Sequence, residues 1–191
     1  ILQFTSLIIL NQSLYLTCTL FILGPNKIGA VVMSAGGNLA IELSLKTGIP
    51  IASWSGIIDL DQWVDAHPDV VGSNANAPTP GTPVGNINQD GSNDPYYKWF
   101  VLNYVNGDTD LLKQASLLNR VTKDAGPMFI ANSLKEIVPM DGVLKLQQLL
   151  TDNLVQSTFQ TVTGSGHGEA YMKQAQDATL DFFADHLDLA R

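Results

Sequence analysis

The chain has 191 residues, 45% of them hydrophobic and 15% charged, a composition typical of one globular domain with a sizeable core. Its net charge is −8 and it has no cluster of lysine and arginine, which argues against a nucleic-acid partner. The only cysteine, Cys18, excludes an intrachain disulfide and a zinc site built from cysteine pairs, and it fits a reducing compartment such as the cytoplasm.

The first 23 residues are uncharged and apolar. We do not predict a membrane span, because Gln3, Asn11 and Gln12 interrupt the run and such side chains are costly in hydrocarbon. A signal peptide is not indicated either, since a basic start and a small-residue cleavage site are missing. We expect a buried strand and a helix here. The chain lacks an initiator Met, as a fragment of a longer protein would.

Strand-like and helix-like segments alternate along the rest of the chain. Residues 28–33 form an unbroken apolar run, typical of a strand buried on both faces of a parallel sheet. The predicted elements are strands 28–33, 49–56, 126–133 and 157–164 and helices 38–47, 141–153 and 169–187. This order predicts an α/β fold, a parallel sheet with flanking helices and right-handed crossovers.

Two of the predicted helices have an apolar face. Asp141 stands at the start of helix 141–153, where we expect it to act as the N-cap. The apolar face of that helix consists of Val143, Leu146, Leu149 and Leu150. The inner face of helix 169–187 consists of Tyr171, Ala175, Ala178, Phe182 and Leu187.

Residues 59–125 interrupt the alternation with a segment rich in Pro, Asn, Asp and Gly. Helices are predicted near residues 96–105 and 110–121. Long loops inside a compact domain are usually functional, and ligands of parallel sheets bind at the carboxyl ends of the strands. We therefore predict a single domain, residues 1–191, in which residues 59–125 form a lid over those ends.

Residues 86–94, NINQDGSND, have the alternating Asx residues of a calcium loop. The twelfth position of such a loop is a bidentate Glu, and here it is Tyr97. Asx residues of this kind also form turns through their own side chains. We therefore predict no metal site.

Ser34 follows the strand 28–33 and precedes Gly36, Gly37 and a helix. This is the order of a nucleophile elbow, in which a serine lies on a sharp turn between strand and helix. Val32 stands where the elbow has a small residue, and we expect it to crowd the helix. A serine at this point is also a typical helix N-cap, so the segment by itself supports both interpretations.

His167 is the candidate general base among three histidines. It lies in a glycine-rich loop directly after strand 157–164, from which a base can reach a serine on a neighbouring strand end. His186 is near the end of the last helix, where a capping role is expected. His67 lies in the predicted lid and is expected to face solvent.

Four stretches together resemble the α/β-hydrolase esterases near the hormone-sensitive lipase group: residues 23–43, 53–72, 126–150 and 162–187. The shared pattern is Gly-x-Ser-Ala-Gly-Gly, an acid shortly before Val-Pro, and a histidine after the last strand. The resemblance implies hydrolysis of a small-molecule carboxylic ester through an acyl-enzyme on Ser34, with His167 as the base. It also implies that the Ala35 N–H is an oxyanion donor and that no cofactor is needed.

The chain departs from this family at several positions. Val32 replaces the first glycine of the elbow, and Lys135 stands four residues before Pro139, where the family has its acid. A lysine cannot orient His167. The neighbouring Glu136 becomes the candidate acid if the loop shifts by one residue. No stretch before Ser34 resembles the His-Gly-Gly loop that gives the second oxyanion donor.

Three hypotheses follow. The chain is an esterase or its carboxyl-terminal part, a hydrolase-like binding protein that has lost its triad, or a truncated product. A carboxylate bonded to His167 would favour the first hypothesis over the second. A truncated product would expose an open apolar sheet edge and form homo-oligomers through it. We also expect residues 1–23 to join the sheet by a route other than the family's early strands, or to pack poorly.

Overall fold

The computed structural model describes the backbone of residues 2–9 and 15–22 and all atoms of residues 28–75 and 94–187. The strands are β1 Leu2–Ile9, β2 Tyr15–Ile22, β3 Ile28–Met33, β4 Ile51–Trp54, β5 Met128–Ser133 and β6 Ser157–Val162. The α-helices are α1 Ala35–Thr47, α2 Asp61–Ala66, α3 Asp94–Tyr104, α4 Thr109–Ala115, α5 Met140–Asp152 and α6 Met172–His186. Two 3₁₀ helices cover Leu117–Arg120 and Gly168–Tyr171.

The strands form one sheet in the order β1-β2-β3-β4-β5-β6. Strands β3 to β6 are parallel to one another, which confirms the predicted α/β class. The first 23 residues contain the two strands β1 and β2, so a strand is present as predicted, whereas the predicted helix is wrong. Strand β2 pairs with β1 and with β3, and both pairings are antiparallel, with Cys18 of β2 opposite Val32 of β3. The hairpin formed by β1 and β2 therefore extends the sheet beyond β3.

The two central strands β4 and β5 are buried on both faces. Strand β3, for which burial on both faces was predicted, is only partly buried at Ile28, Val31 and Met33. Ile51 and Ile130 lie in a hydrophobic cluster with residues of α1 and α5. Ala52, Phe129 and Ala131 lie in a second cluster with residues of α6. Because side chains alternate between the faces of a strand, the sheet becomes the middle layer between helices.

Helix α1 packs on the sheet through small side chains. Leu39 and Leu43, whose spacing predicted the helix, are exposed, whereas Gly37 and Ala40 are buried. A Cβ atom at Gly37 would lie 2.7 Å from the Cα of Gly56, which follows β4. The closeness of this contact explains why a glycine is needed at position 37.

Two details of the later helices differ from the sequence prediction. Asp141 is exposed in the first turn of α5, whose N-cap is Pro139, so Asp141 is not the cap. Thr179, four residues after Ala175, is buried in place of Ala178. The Thr179 Oγ1 accepts a hydrogen bond of 3.1 Å from Trp54 Nε1, which explains a buried hydroxyl on this face.

The segment between β4 and β5 contains α2, α3, α4 and the first 3₁₀ helix. The predicted helix 110–121 is divided in two, because Ser116 has the extended conformation. Tyr97 Oη of α3 donates a hydrogen bond of 2.7 Å to the carbonyl of Asp59, which holds α3 against the turn after β4.

Residues 76–93, with most of the calcium-like stretch, lie outside the described residues. In the part of the chain that the structure describes, no helix has both the length and the apolar character needed to cross a membrane.

Candidate active site

The carboxyl ends of the parallel strands meet at one edge of the sheet. Ser34 follows β3, Ser55 follows β4, Glu136 lies three residues after β5, and His167 lies in the loop after β6. Hydrogen bonds between neighbouring strands continue past the strand ends. The Ser34 N–H donates to the carbonyl of Trp54 at 2.9 Å, and the Ser55 N–H donates to a carbonyl of β5 at 2.9 Å. The site residues are therefore held in register by the sheet.

Ser34 forms the turn between β3 and α1 with φ 55° and ψ −129°. Ser34 is the N-cap residue of α1 by position, but its side chain makes no capping hydrogen bond to the helix. A positive φ at a residue other than glycine costs about 1–3 kcal/mol and is found at functional sites. This conformation is that of a sharp strand-to-helix turn, which is what the elbow interpretation requires.

Val32 is accommodated two residues before this turn. It is 3% exposed and belongs to the same hydrophobic cluster as Ala40 and Ile41 of α1. The backbones of α1 and the sheet edge approach closely at Gly37 and Gly56 instead. The small residues that this turn requires therefore lie after the serine and on the next strand.

Ala35 is the first residue of α1. Its N–H belongs to the first helical turn, where backbone donors have no acceptor within the helix. The helix macrodipole adds positive potential at the same point. The helix itself therefore leaves the Ala35 N–H without an acceptor, and its role as an oxyanion donor stays a prediction.

Glu136 and His167 form a direct side-chain contact in the site. The Glu136 Oε2 lies 2.6 Å from Nδ1 of His167. Glu136 is 1% exposed, so this carboxylate is removed from water. A neutral imidazole that donates from Nδ1 to a carboxylate keeps its lone pair on Nε2, the form needed in a general base.

The turn after β5 explains why Glu136, rather than Lys135, lies next to His167. The chain turns at Leu134 and Lys135, and the Lys135 N–H donates to the carbonyl of Gly164 at 3.0 Å while its side chain is exposed. Glu136 then points back to the strand end, where the Ser133 N–H donates to its Oε1 at 2.8 Å. The turn therefore directs Glu136, and not Lys135, toward His167.

The loop of His167 lies against the turn of Ser34. Gly168 has φ +58°, and a Cβ atom there would be 3.4 Å from the Cβ of Met33. The residue after the histidine thus packs on the residue before the serine. This contact brings the elbow and the Glu136–His167 pair to the same place on the sheet edge.

The other two histidines lie away from this cluster. His67 is only partly exposed, because its ring stacks on Trp63 with 4.1 Å between centroids and its Nδ1 lies 2.7 Å from the Trp63 carbonyl. The expectation that it faces solvent is therefore wrong. His186 lies in the last turn of α6, with its Nδ1 2.8 Å from the carbonyl of Phe182, an interaction typical of a helix end.

Sequence reasoning did not find Ser55, Ser133 and Tyr171, which surround Glu136. The Ser55 Oγ donates to Glu136 Oε1 at 2.9 Å, and Tyr171 Oη lies 2.8 Å from the same Ser55 Oγ. Burial, and after it the negative charge of Glu136, raises the pKa of Tyr171, so its phenol stays protonated. The only sequence feature that could have indicated Ser55 is its position directly after a strand.

A partly open cleft lies beside Ala35, the residue after the turn of Ser34. Ala35 and Asn38 of α1 line one side, and Phe100 and Tyr104 of α3 line another. The remaining lining residues, Ile57, Leu60 and Val101, are apolar. Asn38 Nδ2 donates to the carbonyl of Ile57 at 2.7 Å, so this amide group is already engaged. The cleft is therefore suited to an apolar group.

Solved structures resemble this chain in fold. Acylaminoacyl peptidase from Pyrococcus horikoshii superposes with a TM-score of 0.60 and 16% identity, over 88% of this chain and 25% of that one. A puromycin-hydrolyzing peptidase from Mycobacterium tuberculosis gives 0.57 and 16%, over 84% and 22%. An acetyl ester-xyloside bifunctional hydrolase from Caldicellulosiruptor lactoaceticus gives 0.56 and 16%, over 88% and 59%.

This chain has the α/β-hydrolase fold. Its four parallel strands, the flanking helices and these neighbours agree on that assignment. The chain spans about a quarter of the length of the two peptidases and somewhat more than half of the bifunctional hydrolase. No protein-family model and no curated protein sequence matches it.

Proposed function

We propose that this chain is the carboxyl-terminal part of a serine esterase, related to the hormone-sensitive lipase group, that cleaves carboxylic esters through an acyl-enzyme. The observation that carries the proposal is the buried Glu136 carboxylate, 2.6 Å from Nδ1 of His167, beside a serine on a strained strand-to-helix turn. A nucleophile, a base and an orienting acid at the carboxyl ends of strands in one parallel sheet are the parts that acyl transfer needs.

In the proposed reaction, Ser34 Oγ attacks the ester carbonyl carbon while Nε2 of His167 takes the hydroxyl proton. Glu136 holds the ring through Nδ1 and stabilises the imidazolium that forms. The Ala35 N–H donates a hydrogen bond to the carbonyl oxygen as it becomes negative. His167 then protonates the departing alkoxide. Water, activated by the same histidine, hydrolyses the acyl group from Ser34 and restores the enzyme.

The cleft beside Ala35 is the proposed site for the apolar part of the ester. Ala35 is both the candidate oxyanion donor and a lining residue, so a carbonyl bound at its N–H would direct one substituent into the cleft. Phe100 and Tyr104 belong to the segment 59–125, which is consistent with that segment acting as a lid. The lining favours an aliphatic or aromatic substituent over a charged one.

The contact between Glu136 and His167 also argues against the alternative, a binding protein that has lost its catalytic triad. Such a protein is expected to lack a carboxylate at the histidine, and here a buried one is bonded to it. The chain spans only 25% of acylaminoacyl peptidase and 59% of the bifunctional hydrolase. This partial coverage is consistent with a fragment of an esterase.

The test is mass spectrometry after treatment with a fluorophosphonate, which forms a covalent adduct with activated serines. We expect one adduct, on Ser34, that disappears in Ser34→Ala. Labelling is expected to be at least a hundredfold slower in His167→Gln and clearly slower in Glu136→Gln, because the base and its orienting acid are removed.

His186→Gln is the matched control, since it removes a histidine at the end of α6. It is expected to label at the parent rate. A folded parent chain that takes no label on Ser34 would overturn the proposal and favour the binding-protein hypothesis. Equal labelling of the parent and His167→Gln would show that His167 is not the base.

A further inference from the structure

Ser55 joins the acid and the loop of the base in one hydrogen-bond cluster. It follows β4, is 0% exposed, and has φ 53°. Its Oγ lies 2.9 Å from Glu136 Oε1, 2.8 Å from Tyr171 Oη and 2.9 Å from the backbone nitrogen of Gly168. These partners come from the turn after β5 and from the segment that follows His167. One hydroxyl therefore connects three separate parts of the chain.

The hydrogens of this cluster can be assigned from the groups themselves. The Gly168 N–H can only donate, and an ionised Glu136 can only accept. The Ser55 Oγ, with one hydrogen and two lone pairs, therefore donates to Glu136 Oε1 and accepts from the Gly168 N–H. The Tyr171 Oη lies 2.8 Å from the same Oγ and donates to the Ala131 carbonyl at 3.0 Å, which ties the cluster to β5.

A second serine supports Glu136 differently. The Ser133 backbone N–H donates to Glu136 Oε1 at 2.8 Å, whereas the Ser133 hydroxyl donates to the carbonyl of Gly166 and lies 3.5 Å from Glu136 Oε1. Ser55 thus gives the carboxylate its short side-chain hydrogen bond on the Oε1 atom, leaving Oε2 directed at His167. A carboxylate with both oxygens held has little freedom to rotate away from the imidazole.

We propose that Ser55 is a positioning residue, which holds Glu136 and the loop of His167 in the arrangement needed for the base to work. The proposal rests on the function proposed above. Without the Ser55 hydroxyl, the Gly168 N–H and Glu136 Oε1 would each lose a buried partner. The loop of His167 would then lose one of the hydrogen bonds that fix it relative to the acid.

The experiment compares Ser55→Ala with Ser53→Ala in the full chain. Ser53 is the matched control because it lies on the same strand and is also 0% exposed, and within the described residues its Oγ has no hydrogen-bond partner. Two quantities are measured: kcat and KM on p-nitrophenyl acetate, and the proton resonance of His167 Nδ1–H. The resonance is assigned by its loss in His167→Gln.

We expect Ser55→Ala to lower kcat about tenfold with little change in KM, as the loss of a hydrogen bond to a charged group predicts. The Nδ1–H resonance is expected to shift or to disappear through exchange with water. Ser53→Ala is expected to keep both the parent kcat and the parent resonance. Ser55→Ala with the parent kcat and the parent resonance would overturn the proposal.

If Ser55→Ala does not fold, Ser55→Cys tests the proposal instead. The cysteine side chain is close in volume to that of serine, and its S–H is a weaker hydrogen-bond donor than the hydroxyl. Its resonance is expected to shift and its kcat to fall, and parent values of both would overturn the proposal. The resonance does not depend on turnover. If the parent chain has no esterase activity, the function proposed above fails, while the resonance in the Ser55 variants still decides whether Ser55 positions the pair.

Discussion

Ser34 shows how a single residue is held in an unfavourable backbone conformation. Its φ of 55° is outside the range that residues with a side chain normally adopt. The Ser34 N–H donates to the carbonyl of Trp54, and the Gly37 N–H donates to the carbonyl of Ser34, both at 2.9 Å. These bonds tie the turn to β4 and to α1, so the surrounding structure determines the conformation.

A pair of substitutions measures this strain. Ser34→Ala and Ser34→Gly both remove the hydroxyl, but only glycine adopts positive φ without a steric penalty. We expect Ser34→Gly to have a free energy of unfolding about 1 kcal/mol higher than Ser34→Ala. Urea denaturation of the two variants gives the difference. Equal stabilities would mean that the turn is not strained.

The position of Glu136 illustrates a limit of sequence reasoning at the residue scale. Counting back from Pro139 places the family's acid at Lys135, and a regular path would direct Glu136 away from His167. The turn at Leu134 and Lys135 reverses that direction, and the Ser133 N–H captures the carboxylate. The chain path within one turn decides this outcome, and periodicity carries no information about it.

At the scale of elements, an ion pair links α1 to the segment between β4 and β5. Glu42 of α1 forms ion pairs with Lys46, one turn further along, and with Arg120 of the 3₁₀ helix. Partial burial opposes ionisation of Glu42, but the hydrogen bonds and positive charges of Lys46 and Arg120 outweigh it and lower the pKa of Glu42. The ionised carboxylate therefore favours the folded state.

This pKa shift predicts a dependence of stability on pH. A carboxyl whose pKa is lower in the folded state stabilises the fold above its unfolded pKa, near 4.5, and loses that contribution as the pH falls through the folded value. We expect Glu42→Gln to be less stable than the parent at pH 7, and the difference to shrink below about pH 4.5. Urea midpoints from pH 7 to pH 3 measure it.

The Arg120→Gln variant tests the cause of that effect. Without Arg120, one of the two positive partners of Glu42 is missing. The difference in stability at pH 7 between chains with Glu and with Gln at position 42 is therefore expected to be smaller in the Arg120→Gln background. A difference that stays constant at all pH values would show that Glu42 acts through packing rather than through its charge.

At the scale of the whole molecule, the cleft exists only because α3 meets the turn of Ser34. Ala35 and Phe100 are more than sixty residues apart in the chain, and both line the cleft. The packing that brings them together includes the bond from Tyr97 Oη to the carbonyl of Asp59. If the proposed function is correct, this packing sets the size of the substituent that the enzyme accepts.

Phe100→Trp tests that consequence. The larger ring reduces the space in the cleft, so we expect the ratio of kcat/KM for a p-nitrophenyl octanoate to that for the acetate to fall roughly tenfold. Phe159→Trp is the matched control, since Phe159 lies on β6 and does not line the cleft. An unchanged ratio in Phe100→Trp would place the acyl group elsewhere.

The sequence by itself determined the elements whose pattern is local. The apolar run 28–33 is β3 within the same bounds, and the face of Val143, Leu146 and Leu150 is the buried face of α5. Local backbone geometry and periodic burial are encoded over a few residues, so they can be inferred from a short stretch. The order of Ser34, Gly36 and Gly37 is local too, but by itself it supported both an elbow and an ordinary helix cap.

Only the tertiary structure decided which side chains meet at the site. Ser55 and Glu136 are 81 positions apart, and Ser55 and Gly168 are 113 apart. Contacts over such separations depend on strand order and on the exact turn after each strand, which no periodicity specifies. The antiparallel hairpin of β1 and β2 was missed because a short apolar run suits a buried strand and a buried helix equally well, and tertiary pairing decides between them.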